Sequence, residues 1–181
     1  MSDLANFRPW ARRLHWISAL IMLGLVIPLG IWIRYFAPDD QSFKLRLYNL
    51  HESFGIVLFV LALARLMYRR RNPAPPLPTD SPDWVRLAAR TTHAALYALL
   101  IIMPISGFLA TNAWGFPLRL FELIPLPSPV GKDEALAKTL SLVHWWGAVT
   151  LGVLIAAHLA GAWYHHVIRK DGVLRRMLGS S

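Results

Sequence analysis

From Leu142 to Trp163 the chain runs for 22 residues without an Asp, Glu, Lys or Arg. A helix rising about 1.5 Å per residue over that length crosses a hydrocarbon core of roughly 30 Å. Lipid offers the backbone no hydrogen-bond partners, so such a stretch must be a helix, and the rest of the chain must fold to suit it. Three further apolar runs accompany it, giving a set at about 14–35, 50–68, 91–114 and 141–168. Four helices of that size and their connections use up all 181 residues. The sequence therefore predicts a single all-α membrane domain over 1–181, a four-transmembrane-helix bundle. A mean hydropathy of +0.41 is too high for a soluble domain of this length.

The chain carries 19 Lys and Arg against 10 Asp and Glu, a formal net charge of +9. Such a balance is a usual sign of nucleic-acid binding, but its placement points to a bilayer. Arg8, Arg12 and Arg13 precede the first run. Arg65, Arg69, Arg70, Arg71, Arg86 and Arg90 flank the connection between the second and third, and Arg169, Lys170, Arg175 and Arg176 follow the fourth. Thirteen of the 19 basic residues thus share one side, leaving Arg34, Lys44, Arg46, Arg119, Lys132 and Lys138 on the other. Positive charge gathers on the cytoplasmic side, so both termini are expected there and no nucleic-acid partner is expected. Trp16, Trp32, Trp114, Trp145, Trp146 and Trp163 fall near the ends of the runs, as interfacial anchors do. The first run is longer than a signal-peptide core and is expected to be retained.

Proline shapes the connections. Pro28 lies inside the first run and is expected to kink it. Pro73, Pro75, Pro76, Pro78 and Pro82 make the inner connection an extended linker. The second outer connection, about 115–140, holds an apolar stretch from Phe121 to Leu126 suited to the membrane surface or the end of the bundle.

The histidines carry the chemistry. His144 and His158 lie 14 residues apart in the fourth run. On a helix that places them within about 40° of one face and about 21 Å apart along the axis. Topology sets the depth of the others: His15 starts the first run on the inner side, and His51 starts the second on the outer side. Two depth-matched pairs result, His15 with His158 near the inner face and His51 with His144 near the outer. An ionisable residue in lipid needs a partner, and a planar cofactor ligated from both sides supplies one for each pair.

Small side chains one turn along support these four. Ser18 and Ala19 follow His15, Gly55 follows His51, Gly147 follows His144, and Gly161 and Ala162 follow His158. His93 is followed instead by Leu96 and Tyr97, which suits a hydrogen-bonding role toward a propionate or a quinone. His165 and His166 read as interfacial residues at the inner surface, with a quinone-site role for His165 as the sharper alternative. Zinc prefers about four ligands in a tetrahedron, and the helices offer two imidazoles per level with few carboxylates. The absence of cysteine excludes thiolate-held clusters and covalent haem attachment. Two non-covalent b haems, each with two axial histidines, fit the set. With both axial positions filled, electron transfer is the expected chemistry rather than oxygen binding.

These residues resemble the bacterial cytochrome b561 family, four-helix dihaem membrane cytochromes related to the cytochrome b subunits of nickel hydrogenases. The resemblance rests on Leu14-His15-Trp16, Leu50-His51-Glu52 with Gly55, Arg65 with Arg69-Arg70, and Asn72-Pro73. It continues through His93 to Tyr97, Met103-Pro104 with Gly107, His144, His158 and His165-His166. It implies His15 and His158 as iron ligands of an inner haem and His51 and His144 as those of an outer haem. It also implies a multi-pass protein of the bacterial inner membrane.

The compact members of the family are similar to superoxide oxidases, which pass an electron from superoxide at the periplasmic side to ubiquinone. By that resemblance His165 contacts the quinone. The alternative within the same family is a non-catalytic electron-transfer subunit serving a partner dehydrogenase, hydrogenase or periplasmic cytochrome. If superoxide is the donor, Lys44, Arg46, Arg119, Lys132 and Lys138 in the outer loops are candidates for steering an anion.

Overall fold

The computed structural model describes residues 6–179. The expected domain over 1–181 thus includes residues 1–5 and 180–181, which lie outside the described residues. Four long helices dominate: α1 (Pro9–Tyr35), α2 (Gln41–Arg71), α3 (Asp83–Trp114) and α4 (Glu134–Arg169). A two-stranded hairpin, β1 (Arg119–Leu120) and β2 (Ile124–Pro125), stands between α3 and α4, and a short α5 (Val173–Leu178) closes the chain. Each long helix is long and apolar enough to cross a membrane.

The helices overrun the apolar runs because their ends are polar turns built for capping. Asp40 opens α2, its Oδ1 accepting from the amides of Ser42 and Phe43. Pro82 and Asp83 open α3 eight residues before the third apolar run begins at about 91. Asp133 opens α4 by accepting from the Leu136 amide. Gly115 ends α3 at φ 91°, a left-handed turn that favours glycine.

Pro28 is passed in an unexpected way. The turn before it, Met22–Val26, widens to a π-helix in which the Ile27 amide bonds Met22 O. A wide turn ahead of the residue that lacks an N–H lets α1 continue instead of breaking. The inner connection holds no helix from 73 to 82, as its prolines require. The apolar outer stretch folds over the bundle end: the Phe121 amide donates to Ser53 Oγ at 2.8 Å, and Phe121 packs edge-on against Phe54 at 5.3 Å.

The bundle is assembled in sequence order, α1 on α2, α2 on α3 and α3 on α4. The most extensive close approach of α4 is to α3. One apolar layer joins all four helices: Met22, Leu58 and Leu151, with Leu96, Leu99 and Leu100 of α3 against them. Leu151 is seven residues from each of His144 and His158, so this layer lies midway between the two histidine levels. Outside, Leu20 is 71% and Val153 64% exposed, the pattern of helices whose outer solvent is lipid.

Candidate functional site

At the outer level, α2 and α4 bring His51 and His144 together with ring centres 6.2 Å apart and planes at 78°. Each ring is held by a main-chain carbonyl of a neighbouring helix. His51 Nδ1 donates to Val26 O at 3.0 Å, and His144 Nδ1 donates to Met103 O at 3.0 Å. A carbonyl only accepts, so the proton of each ring sits on Nδ1 and each Nε2 keeps its lone pair. Ser106 completes the support on the α3 side, its Oγ 3.2 Å from His144 Nδ1 and donating to Met103 O at 3.0 Å.

Two glycines make room. A Cβ on Gly30 would lie 3.2 Å from His51 Cε1, and one on Gly107 would lie 3.0 Å from His144 Cε1. Each glycine is four residues beyond the carbonyl that holds the same ring, with Pro28 or Pro104 between. The two rings are thus seated by the same device, a carbonyl and a glycine one turn on, repeated in α1 and α3. The sequence reading did not name Val26 or Gly30, and it named Met103 and Gly107 only within the family resemblance, without this role. The signal was present in Val26-Ile-Pro28-Leu-Gly30 and Met103-Pro104-Ile-Ser-Gly107, prolines and glycines inside membrane helices that need a local reason.

At the inner level, α1 and α4 bring His15 and His158 together with ring centres 6.1 Å apart and planes at 64°. His93 of α3 lies 5.3 Å from His158. The partner of His15 is not a carbonyl but Arg65, whose Nη2 is 3.1 Å from His15 Nδ1. Both depth-matched pairs read from the sequence are therefore adjacent in space.

The donor set fits a haem iron. With about 2 Å from metal to each imidazole nitrogen, two opposed rings have centres about 6 Å apart, and both pairs stand at that separation. Second-position bonds such as His51 to Val26 O and His144 to Met103 O are what orient metal-binding imidazoles. A Cβ built on Gly55 or Gly161 meets no atom within 4 Å, leaving open space one turn from His51 and from His158. Among the described residues no group of three or more His, Cys, Asp or Glu is placed to hold a bare metal ion.

The remaining site candidates are dispersed. His165 does not snorkel at the interface, as the sequence suggested. It is 7% exposed, and its Nδ1 donates to Asp171 Oδ2 at 2.6 Å. Lys170 at φ 51° folds the chain back beyond α4 and brings Asp171 under the ring. Arg169 ties the same carboxylate through Nε at 3.1 Å and reaches Asp80 of the inner connection at 2.9 Å. Burial pushes the Asp171 carboxyl up, but the bonds from His165, the Val173 amide and Arg169 outweigh it and hold it below the usual carboxylate range. His166 is exposed.

In the outer loops, Lys44 pairs with Asp39 at 3.0 Å and Lys138 with Glu134 at 2.7 Å. Arg46, Arg119 and Lys132 form no ion pair among the described residues. The main chain at Arg119 is tied to the outer end of α2, where Asn49, two residues before His51, donates to its carbonyl at 2.7 Å.

Comparison with known proteins agrees with this architecture. The family model for prokaryotic cytochrome b561 matches residues 6–180. "Cytochrome b561 homolog 2" of Escherichia coli K12 is 39% identical over 168 residues, covering 92% of this chain and 88% of that protein. "Cytochrome b561 homolog 1" of the same organism is 30% identical, covering 91% of this chain and 92% of that protein. "Probable superoxide oxidase CybB" of Yersinia pestis is 32% identical, covering 91% of each. The chain belongs to the prokaryotic cytochrome b561 family: it is a bacterial multi-pass membrane cytochrome of the b type, and its chemistry is electron transfer.

Proposed function

We propose that this protein oxidises superoxide to dioxygen at the periplasmic side of the inner membrane and reduces ubiquinone at the cytoplasmic side. The whole chain acts as one unit, with His51 and His144 as axial ligands of an outer b haem and His15 and His158 as those of an inner one. The observation that carries this reading is the pair of facing imidazoles at each end of the bundle, at 6.2 and 6.1 Å. When bound, the two haems supply one-electron carriage between the two faces. The reaction balances as two superoxide anions and two protons with one quinone, giving two dioxygen molecules and one quinol.

The chain's own residues do the rest. Val26 O and Met103 O fix the outer rings, so those imidazoles need little reorganisation as charge changes nearby. Met22, Leu58 and Leu151 close the waist between the levels with apolar side chains, which keeps water and stray protons out of the path. Arg46, Arg119 and Lys132 form no ion pair in the outer loops and are the groups placed to draw in a small anion, against Asp40, Glu122 and Asp133 in the same loops. At the inner side the bond to Asp171 keeps the His165 proton on Nδ1 and orients the ring, leaving the Nε2 lone pair to take up a proton and pass it to the reduced quinone oxygen. The relative named as a probable superoxide oxidase supports the choice of donor.

The test is stopped-flow visible spectroscopy of the purified oxidised protein mixed with superoxide, with and without ubiquinone. Rapid reduction of a b-type spectrum, reversed when quinone is present, is the expected result. Slow reduction would discard superoxide as the donor and favour a subunit that serves a partner dehydrogenase or periplasmic cytochrome.

A further inference from the structure

The inner histidine level differs from the outer one in what stands behind it. Arg65 is a half-buried guanidinium on α2 with its Nη2 on His15 Nδ1 and its charge 5.3 Å from the centre of the Tyr97 ring. Arg69, one turn on, faces the same ring at 6.0 Å. Beside them opens a cavity of about 380 Å³, lined among others by Arg8, Leu14, Arg65, Tyr68, Arg69 and Tyr97. Among the described residues, three guanidiniums border it and no carboxylate does. The ion pairs found among the described residues involve Lys44, Arg86, Lys138, His165 and Arg169, and none involves Arg8, Arg65 or Arg69. A half-buried guanidinium in an apolar bundle gains from an anionic partner, which offsets the cost of its partial desolvation.

The contact with His15 says which anion. A guanidinium is always protonated, so in this contact Arg65 donates and His15 Nδ1 accepts. A histidine that binds iron through Nε2 carries its proton on Nδ1 and offers Arg65 no lone pair. The guanidinium beside it then needs another acceptor within reach of the same ring, on the side where the cavity opens. A haem held by that ring brings two carboxylates of its own.

We propose that Arg65, backed by Arg69 and Arg8, is the carboxylate clamp for the propionates of the haem held between His15 and His158. The inference rests on the inner-haem reading above and adds how that haem is oriented and charged. Arg is suited to the task because its planar fork meets a carboxylate with two parallel N–H donors. Tyr97, under both guanidiniums, holds them toward the cavity, and the extended segment from Pro73 to Pro76 roofs it. The outer pair has no such arginine, since its rings rest on neutral carbonyls. The two levels are therefore built with different electrostatics.

The experiment reconstitutes haem-depleted full-length protein with native haem and with haem whose two propionates are esterified. The unaltered chain and Arg65→Gln are compared by optical titration and by redox titration of the bound haems. His158→Ala identifies the inner site; if it keeps both haems, the ligand assignment itself fails. With that assignment in place, native haem is expected to bind the inner site of Arg65→Gln on the order of ten- to a hundredfold more weakly, the worth of hydrogen bonds to a charged group. Esterified haem is expected to bind the unaltered chain and the variant alike. The inner midpoint potential is expected to fall in the variant, because a positive charge that favours the reduced iron is gone, while the outer midpoint holds.

Equal weakening for native and esterified haem, or none for either, overturns the proposal. So does inner-haem affinity that falls on adding inorganic phosphate yet ignores esterification, which assigns the cavity to a phosphate group. Should Arg65→Gln fail to accumulate, the unaltered chain carries the test alone: indifference to esterification refutes the clamp.

Discussion

Replacing Gly107 with Ala tests the seat of the outer ring directly. The new methyl would sit 3.0 Å from His144 Cε1 and 3.1 Å from its Nδ1. Carbon contacts settle at about 3.5–4.0 Å, so the ring must yield by about half an ångström or more. It has no free direction in which to yield, because Nδ1 is tied to Met103 O at 3.0 Å on the same helix that carries the methyl. Overpacking of this kind costs about 1–3 kcal/mol, and a strained Nδ1 bond adds some part of the ~1 kcal/mol that such a bond contributes. At 1.4 kcal/mol per factor of ten, outer-haem affinity should fall by roughly five- to a few-hundredfold. The same change at Gly30 presses on His51 Cε1 alone, at 3.2 Å, and should do less. Gly152→Ala is the control, since a Cβ there meets nothing within 4 Å. The assay is haem per polypeptide from the alkaline pyridine spectrum, with His144→Ala and His158→Ala marking which haem is lost. If Gly107→Ala binds outer haem as tightly as Gly152→Ala, or sheds the inner haem instead, the carbonyl-and-glycine seat is wrong.

Three further outcomes are expected. His158→Ala should lose one haem and keep most of the other, whereas His93→Ala should keep both. Haem content settles both, and a single haem in His93→Ala would mean that His93, not His15, faces His158 across the iron. The second-order rate with superoxide should fall as salt rises past the range where the Debye length is about 10 Å. Arg119→Gln should flatten that dependence and Lys138→Gln, already paired with Glu134, should not; a salt-insensitive rate removes steering from the account. Asp171 titrates below its ordinary value in the folded protein, so its stabilisation is present above the unfolded carboxylate pKa and disappears as pH falls through the folded one. Melting temperature should therefore drop in acid more steeply in the unaltered chain than in Asp171→Asn; parallel profiles would show that the bond to His165 contributes nothing.

The membrane helices were legible because one solvent imposes one solution: a charge-free run of 22 residues has few alternatives in lipid. Their ends were not, since Asp40, Pro82 and Asp133 cap helices in water, where apolar length carries no information. The histidine pairs were legible because topology fixes depth, and depth leaves His15 facing His158 and His51 facing His144. What holds the rings was hidden because the acceptors are main-chain carbonyls, which have no residue identity. Only the helix-interior prolines and glycines betray them. Reading His165 as interfacial failed for a local reason: Asp171 reaches it only because Lys170 adopts a left-handed conformation, an uncommon choice for lysine.

The distribution of basic residues bears on direction as well as topology. With the Arg-rich end inside, an electron moving from the outer pair to the inner pair travels toward a negative cytoplasm. It loses about 2.3 kcal/mol per 100 mV of membrane potential over the full crossing. Apolar walls screen little, so charges near the inner level act on it at close to full strength. Arg65 stands in contact with His15, Arg69 is one turn away, and the outer rings have only neutral carbonyls behind them. A cation in contact with His15 favours an added electron at the inner level, in the direction that opposes the membrane potential. Exchanging that asymmetry, by Arg65→Gln, should slow quinone reduction more in energised vesicles than in uncoupled ones. Equal slowing in both would separate the arginine from the direction of flow and leave it a binding role alone.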